Sequence, residues 1–115
     1  MSDHPFSDIC QDQYRDILLK RLEQTRALVI STTVCPACTK AKNLLERNNV
    51  EYREISLDML NQKDSMEVGN CVYGSTPRRY VPYIYMDKKA LGGYGELYEM
   101  HKTGTLKAEE IKAAE

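Results

Sequence analysis

Cys35 and Cys38 are the residues of this chain whose type and spacing carry the most chemistry, set in Ser31-Thr32-Thr33-Val34-Cys35-Pro36-Ala37-Cys38. The run before them, Ala27–Ile30, is short, apolar and rich in branched residues, which reads as a buried strand. The run after them spaces Ala41, Leu44, Leu45 and Val50 at near-helical intervals. The pair therefore falls where a strand hands over to a helix. Cys35 takes the N-cap, and Pro36 takes the first helical position, where a missing N–H costs nothing. A sulfur there faces unpaired backbone N–H groups and the positive end of the helix dipole, so the thiolate is favoured. Thiol pKa values at such sites fall to roughly 3.5–7.5 from about 8.5. Cys38 follows one turn in on the same face, within reach of the Cys35 sulfur and expected to be the less exposed. The chemistry implied is attack on a disulfide by Cys35, followed by resolution by Cys38.

Two other uses of such a pair exist. A zinc knuckle would need a second ligand pair at matching spacing. Cys10 and Cys71 are isolated in sequence, and His4 and His101 lie near opposite ends, so no metal is expected on this ground. An inert structural disulfide would leave the strand-to-helix position unused. Cys10 reads as a semi-exposed small hydrophobe without a role, with a regulatory thiol as the sharper alternative; Cys71 reads as core or semi-core.

At 115 residues the chain is expected to form a single domain, 1–115. Its net charge of -1, with both signs interspersed, points to neither nucleic acid nor an anionic membrane as partner. No apolar run approaches a membrane span or a signal-peptide core. Few cysteines and no secretory signal fit a reducing compartment, so a cytoplasmic location is expected.

The elements that must position the pair follow in order. Residues 1–7 read as a loose arm. A helix is expected over Asp8–Gln24, with Ile9, Tyr14, Ile17, Leu18 and Leu22 as its apolar stripe. A strand at Ala27–Ser31 leads into the helix that follows the cysteines, which ends near Asn48-Asn49. A second strand over Glu51–Leu57 would lie parallel to the first across a right-handed crossover. A helix over Asn61–Val72, loosened at Gly69-Asn70, precedes a loop at Gly74–Arg79 with adjacent Arg78 and Arg79. Val81–Met86 reads as a strand with proline at its start, joined by Asp87-Lys88-Lys89 to a short returning strand at Ala90–Gly92. Tyr94, Leu97, Tyr98 and Met100 share helical spacing up to Thr103-Gly104, and Leu106–Glu115 reads as a short last helix. The order implies a three-layer α/β domain, a four-stranded mixed sheet with helices on both faces and extra N- and C-terminal helices.

Three features in order carry a resemblance over about residues 27–106: Cys35-Pro36-Ala37-Cys38, then Val81-Pro82, then Gly92-Gly93-Tyr94-Gly95-Glu96-Leu97. The chain resembles the dithiol glutaredoxins of the thioredoxin-like superfamily. The resemblance implies a thioredoxin-like fold in which the Val81–Pro82 bond is cis and faces the cysteines. It implies a glutathione site in which Val81 offers its main chain to the cysteinyl part, as in strand addition. Gly93 lets the γ-glutamyl end come close, and Tyr94, Gly95 and Glu96 open a helix whose N–H groups receive a carboxylate. The Glu96 carboxylate would pair with the ligand's α-amino group.

Four positions depart from the family's usual pattern. Ala37 stands where an aromatic is common, Tyr80 where threonine precedes Val-Pro, and Glu96 where aspartate is frequent. Thr32 stands where many members have a lysine for the glycine carboxylate of glutathione. Arg78 or Arg79 is expected to take over that charge. The function implied is glutathione-dependent reduction of glutathione mixed disulfides and protein disulfides, with Cys35 as nucleophile and Cys38 resolving. Expected partners are glutathione and glutathionylated or disulfide-bonded proteins, with a monomeric chain. Three alternatives stay open: a thioredoxin-like reductase not fed by glutathione, a [2Fe-2S] carrier ligated by Cys35 and glutathione, and a binding module without turnover.

Overall fold

The structure is a computed structural model and describes residues 4–107. Helix α1 spans Asp12–Gln24, followed by β1 (Ala27–Ser31), α2 (Pro36–Arg47) and β2 (Tyr52–Ser56). A 3-10 turn at Leu57–Met59 leads to α3 (Gln62–Tyr73), then β3 (Tyr83–Met86), β4 (Lys89–Gly92) and α4 (Tyr94–Thr103). The strands form one mixed sheet in the order β2-β1-β3-β4. β1 pairs parallel with β2 in the register Ala27↔Tyr52, and antiparallel with β3 in the register Ile30↔Tyr83. β4 returns antiparallel along β3.

Every residue of the central strand is buried, and its alternation divides the core in two. Leu28 and Ile30 join Tyr14, Leu18, Leu22, Val68 and Val72 beneath α1 and α3. Ala27 and Val29 join Ala41, Leu44, Leu45 and Leu97 beneath α2 and α4. The two layers of helices around one sheet give the three-layer architecture expected from the element order.

Local chemistry explains the boundaries. Helix α2 stops in a Schellman arrangement: Asn49 adopts a left-handed φ of 58°, its N–H donates to the Glu46 carbonyl, and the Val50 N–H donates to Leu45. Asp87 and Lys88 both take positive φ, which suits a two-residue hairpin turn.

The structure departs from the expectations at five points. Helix α1 begins at Asp12 rather than Asp8, because the preceding segment is fastened elsewhere: Cys10 is bonded to Cys71, and the Ser7 N–H donates to the Cys71 carbonyl at 2.9 Å. Its buried stripe is Tyr14, Leu18 and Leu22, whereas Ile9 and Ile17 are exposed. The stretch read as a loose arm is packed from His4 onward, with the Phe6 ring buried against Tyr85. Gly69-Asn70 leaves α3 unbroken. The helix expected over Leu106–Glu115 lies outside the described residues from residue 108 on; Leu106 is non-helical and buried, its carbonyl held by the Arg26 guanidinium at 3.0 Å.

Candidate active site

The parallel and antiparallel registers bring three loops to one end of the sheet. β1 ends at Ser31 where β3 begins at Tyr83, so the segment 32–35 and the segment Tyr80–Pro82 emerge side by side. Gly92 pairs with Ile84, which places Gly93 at the same end. A side chain added at Gly93 would have its first carbon 3.6 Å from the Pro82 carbonyl oxygen.

Cys35 is the N-cap of α2 with Pro36 behind it, and its sulfur accepts the Cys38 backbone N–H at 3.1 Å. The two cysteines are joined in a disulfide. Cys38 is almost fully buried and Cys35 half-buried, so Cys35 is the more accessible of the two. The N-terminal N–H groups of the helix would stabilise negative charge on that sulfur once the bond is reduced.

Two polar sets hold the loop in place. The buried Ser31 hydroxyl donates to Glu54 on β2 at 2.5 Å, and Glu54 accepts the Lys42 ammonium of α2 at 3.0 Å. Thr33 donates its hydroxyl and its backbone N–H to the Asp58 carboxylate, at 2.5 Å and 3.1 Å. Those hydrogen bonds, the Thr33 hydroxyl first and then Ser56, hold Asp58 below the usual carboxylate range.

The Val81–Pro82 bond is cis and Pro82 is buried. Tyr80 stands beside it, half of its surface exposed, one ring edge 3.7 Å from the position a side chain at Gly93 would take. The Tyr73 hydroxyl donates to the Tyr80 carbonyl, which ties the segment to the end of α3. Burial pushes the Tyr73 phenol up to about 12.

The arginine doublet is divided between two clefts. Arg79 lines a cleft of about 550 Å³ with Asp58, Gln62, Ser65 and Gly69. Its guanidinium donates to Asn70 Oδ1 at 3.0 Å and to the Gly74 carbonyl at 3.2 Å, and lies over the Tyr73 ring. Arg78 faces a different cleft, with Tyr73, Tyr80 and Tyr83. Of the pair, Arg79 is the one whose cleft shares Asp58 with the cysteine loop. Gln62, Ser65 and Gly69 were not anticipated from sequence. The signal lay in Gly69, whose missing side chain makes room for Arg79: a β-carbon there would sit 2.5 Å from Arg79 Nη1.

At the start of α4, Gly93 is the N-cap and Tyr94 the first helical residue. The Glu96 carboxylate expected to wait for a ligand amine is already engaged through Oε1, which accepts the Gly93 N–H at 2.8 Å. Around Gly95 the space is open. Among the described residues no cluster of side chains suits a metal ion.

Comparison with known proteins places this arrangement. The glutaredoxin family model matches residues 27–91. The chain is similar to mitochondrial glutaredoxin-2 of Bos taurus, 34% identical over 79 residues, 69% of this chain and 49% of that one. It is similar to glutaredoxin 1 of Rickettsia prowazekii, 33% identical over 69% of this chain and 80% of the relative. The chain spans about half the length of the mammalian relatives, 49% and 47% of them in cattle and human. Among solved structures, a buckwheat glutaredoxin–glutathione complex superposes with a TM-score of 0.64 at 25% identity, covering 84% of this chain and 89% of that one. Reduced glutaredoxin C1 from Populus tremula x tremuloides gives 0.67 at 28% identity, covering 82% of each chain.

Proposed function

We propose, from the fact that the chain belongs to the glutaredoxin family, that it is a thiol–disulfide oxidoreductase reducing glutathione mixed disulfides and protein disulfides at Cys35. The observation that carries the reading is the half-buried Cys35 sulfur on the N-terminus of α2, beside the Val81–Pro82 segment and Gly93. Helix N–H groups favour the thiolate as attacking species, and the resolving Cys38 is sheltered from substrate.

In the first step the Cys35 thiolate attacks the glutathione sulfur of a mixed disulfide. The substrate thiol leaves and takes a proton, and glutathione stays bound to Cys35. A second glutathione thiolate attacks that glutathione sulfur, leaving as oxidised glutathione and returning Cys35 to the thiolate. With a protein disulfide, Cys35 attacks one sulfur and Cys38 then attacks Cys35. The second substrate thiol is released, and the internal disulfide seen in the structure remains for two glutathiones to reduce.

The glutathione site assigned by this reading uses the Val81 main chain for the cysteinyl part. The start of α4 at Gly93, Tyr94 and Gly95, with open space at Gly95, takes the γ-glutamyl end. Arg79 takes the glycine carboxylate at the wall of its cleft, in place of the lysine that Thr32 replaces. Arg78 borders the tyrosine cleft instead, and Glu96 acts by fixing the turn at Gly93. The glutathione supply fits a reducing compartment.

The test is reduction of a glutathione mixed disulfide coupled to glutathione reductase, following NADPH. Cys35→Ser is expected to abolish turnover; Cys38→Ser is expected to keep deglutathionylation and lose reduction of protein disulfides. Activity surviving in Cys35→Ser would remove the nucleophile assignment.

A further inference from the structure

The second cysteine pair lies outside this site. Cys10, in the turn before α1, is disulfide-bonded to Cys71 in the last turn of α3, across 61 residues of sequence. We propose that Cys10–Cys71 is a second redox couple, exchanging with low-molecular-weight thiols, and that its state sets how firmly α3 holds the Tyr80–Pro82 segment.

The N-terminal segment is fastened along the length of α3 at three places. The Ser7 N–H donates to the Cys71 carbonyl, and the Ser7 hydroxyl donates to the Asn70 carbonyl. Tyr14 donates to Asp64 Oδ1 at 2.8 Å near the other end of the helix. The disulfide lies between them and is the covalent member of the set.

The same turn of α3 holds the loop that carries Val81. Asn70 Oδ1 accepts the Arg79 guanidinium, and the Tyr73 hydroxyl donates to the Tyr80 carbonyl. Asn70–Tyr73 is thus a single turn with the N-terminal segment bonded to it on one side and the site loop on the other. A break at Cys71 removes the covalent hold within that turn, which leaves its remaining contacts to hydrogen bonds and packing.

Access fixes the order of exchange. Cys71 is fully buried and Cys10, 9% exposed, lies in the non-helical segment before α1, so local opening of that segment brings the Cys10 sulfur to an external thiolate first. That attack leaves a mixed disulfide on Cys10 and expels Cys71 as a thiolate, which takes a proton. A second external thiolate attacks the outer sulfur, frees Cys10 and departs as the oxidised disulfide of the reductant. Two external thiols are oxidised and one protein disulfide becomes two thiols.

The test uses the full chain carrying Cys35→Ser and Cys38→Ser, so that only the second couple titrates. The protein is equilibrated in buffers of reduced and oxidised glutathione, thiols are trapped by alkylation and counted by mass, and amide hydrogen exchange is read in parallel. Reduction is expected to expose two thiols in a folded protein. It is expected to raise exchange at least about tenfold in α1 and, together with it, in residues 70–74, the hydrogen-bonded end of α3 that holds the site loop. The chain with Cys10→Ala and Cys71→Ala added should show the fast exchange in every buffer; if it fails to fold, the titration of the native couple decides alone. Thiols that appear only on global unfolding would overturn the proposal. So would unchanged exchange, a rise confined to α1, or slow exchange in the alanine variant. The consequence for catalysis rests on the glutathione reading above. The exchange measurement needs no turnover, so either can fail without the other.

Discussion

Gly69→Ala separates the fold's use of α3 from the site's use of Arg79. A glycine in a helix interior is about 0.8–1.0 kcal/mol less favourable than alanine, so the backbone gains from the change. The new β-carbon would sit 2.5 Å from Arg79 Nη1, and the guanidinium, the far end of a flexible side chain, must leave its seat. It then loses its hydrogen bonds to Asn70 and the Gly74 carbonyl. In an exposed arginine the two together contribute on the order of 1 kcal/mol. The opposing terms nearly cancel, so the midpoint of urea unfolding should stay close to wild type. Substrate binding should not. A contact between this exposed arginine and a carboxylate is worth about 0.5–1 kcal/mol after solvent screening, which corresponds to a rise in KM of about twofold to fivefold. The assay is steady-state reduction of a glutathionylated peptide by wild type, Gly69→Ala and Arg79→Ala, with unfolding curves on the same preparations. Both variants should raise KM to a similar degree. An unchanged KM in Gly69→Ala, with Arg79→Ala impaired, would show that the seat over Gly69 is irrelevant. An unchanged KM in both would remove Arg79 from the glutathione site.

Three further outcomes follow from buried and hydrogen-bonded groups. Because Thr33 holds the Asp58 pKa down, the contact is fully present above the ordinary carboxylate pKa and is lost as pH falls through the depressed value. Protection of the Thr33 amide, its exchange measured against the intrinsic rate at each pH, should therefore fall on acidification, and Asp58→Asn should remove that acid step. Tyr73 has the opposite sign: its pKa is raised from 10.0 to about 12 by burial, so its contribution is full below the lower value and disappears as pH rises through the higher. An alkaline scan of stability should flatten in Tyr73→Phe, at the cost of its hydrogen bond to Tyr80. The Tyr85 hydroxyl is buried with no hydrogen-bond partner among the described residues. Tyr85→Phe should therefore raise stability by about 1 kcal/mol or more, and a lower unfolding midpoint would show that the hydroxyl has a partner.

The parts of this protein legible in its sequence are those fixed by neighbours a few residues away. Cys35 at the N-cap, Pro36 behind it and the burial of Cys38 follow from one strand-to-helix junction. The Asp87-Lys88 turn and the Asn48-Asn49 stop are equally local. What escaped depends on residues far apart. Nothing local pairs Cys10 with Cys71, and that contact, with Ser7 against Cys71, displaced the start of α1 by four residues from Asp8 to Asp12. Gly69 resembled a helix breaker because its reason for being there is an arginine ten positions later, at Arg79. Glu96 looked like a ligand-binding charge, yet its first partner is the Gly93 N–H three residues back.

The strand order β2-β1-β3-β4 leaves two strands with an unpaired side, and their composition has a consequence for self-association. An open strand edge is a template on which another chain can add. Charge and brevity are what discourage it. β2 is five residues long and carries Arg53 and Glu54, and β4 is four residues long and opens with Lys89 beside Lys88. A strand added beside β4 would lie against Lys89, and one added beside β2 would lie against Arg53 and Glu54. On the proposed reading the chain offers extended backbone to glutathione at the Val81 segment, while the composition of its sheet margins discourages growth into a larger sheet.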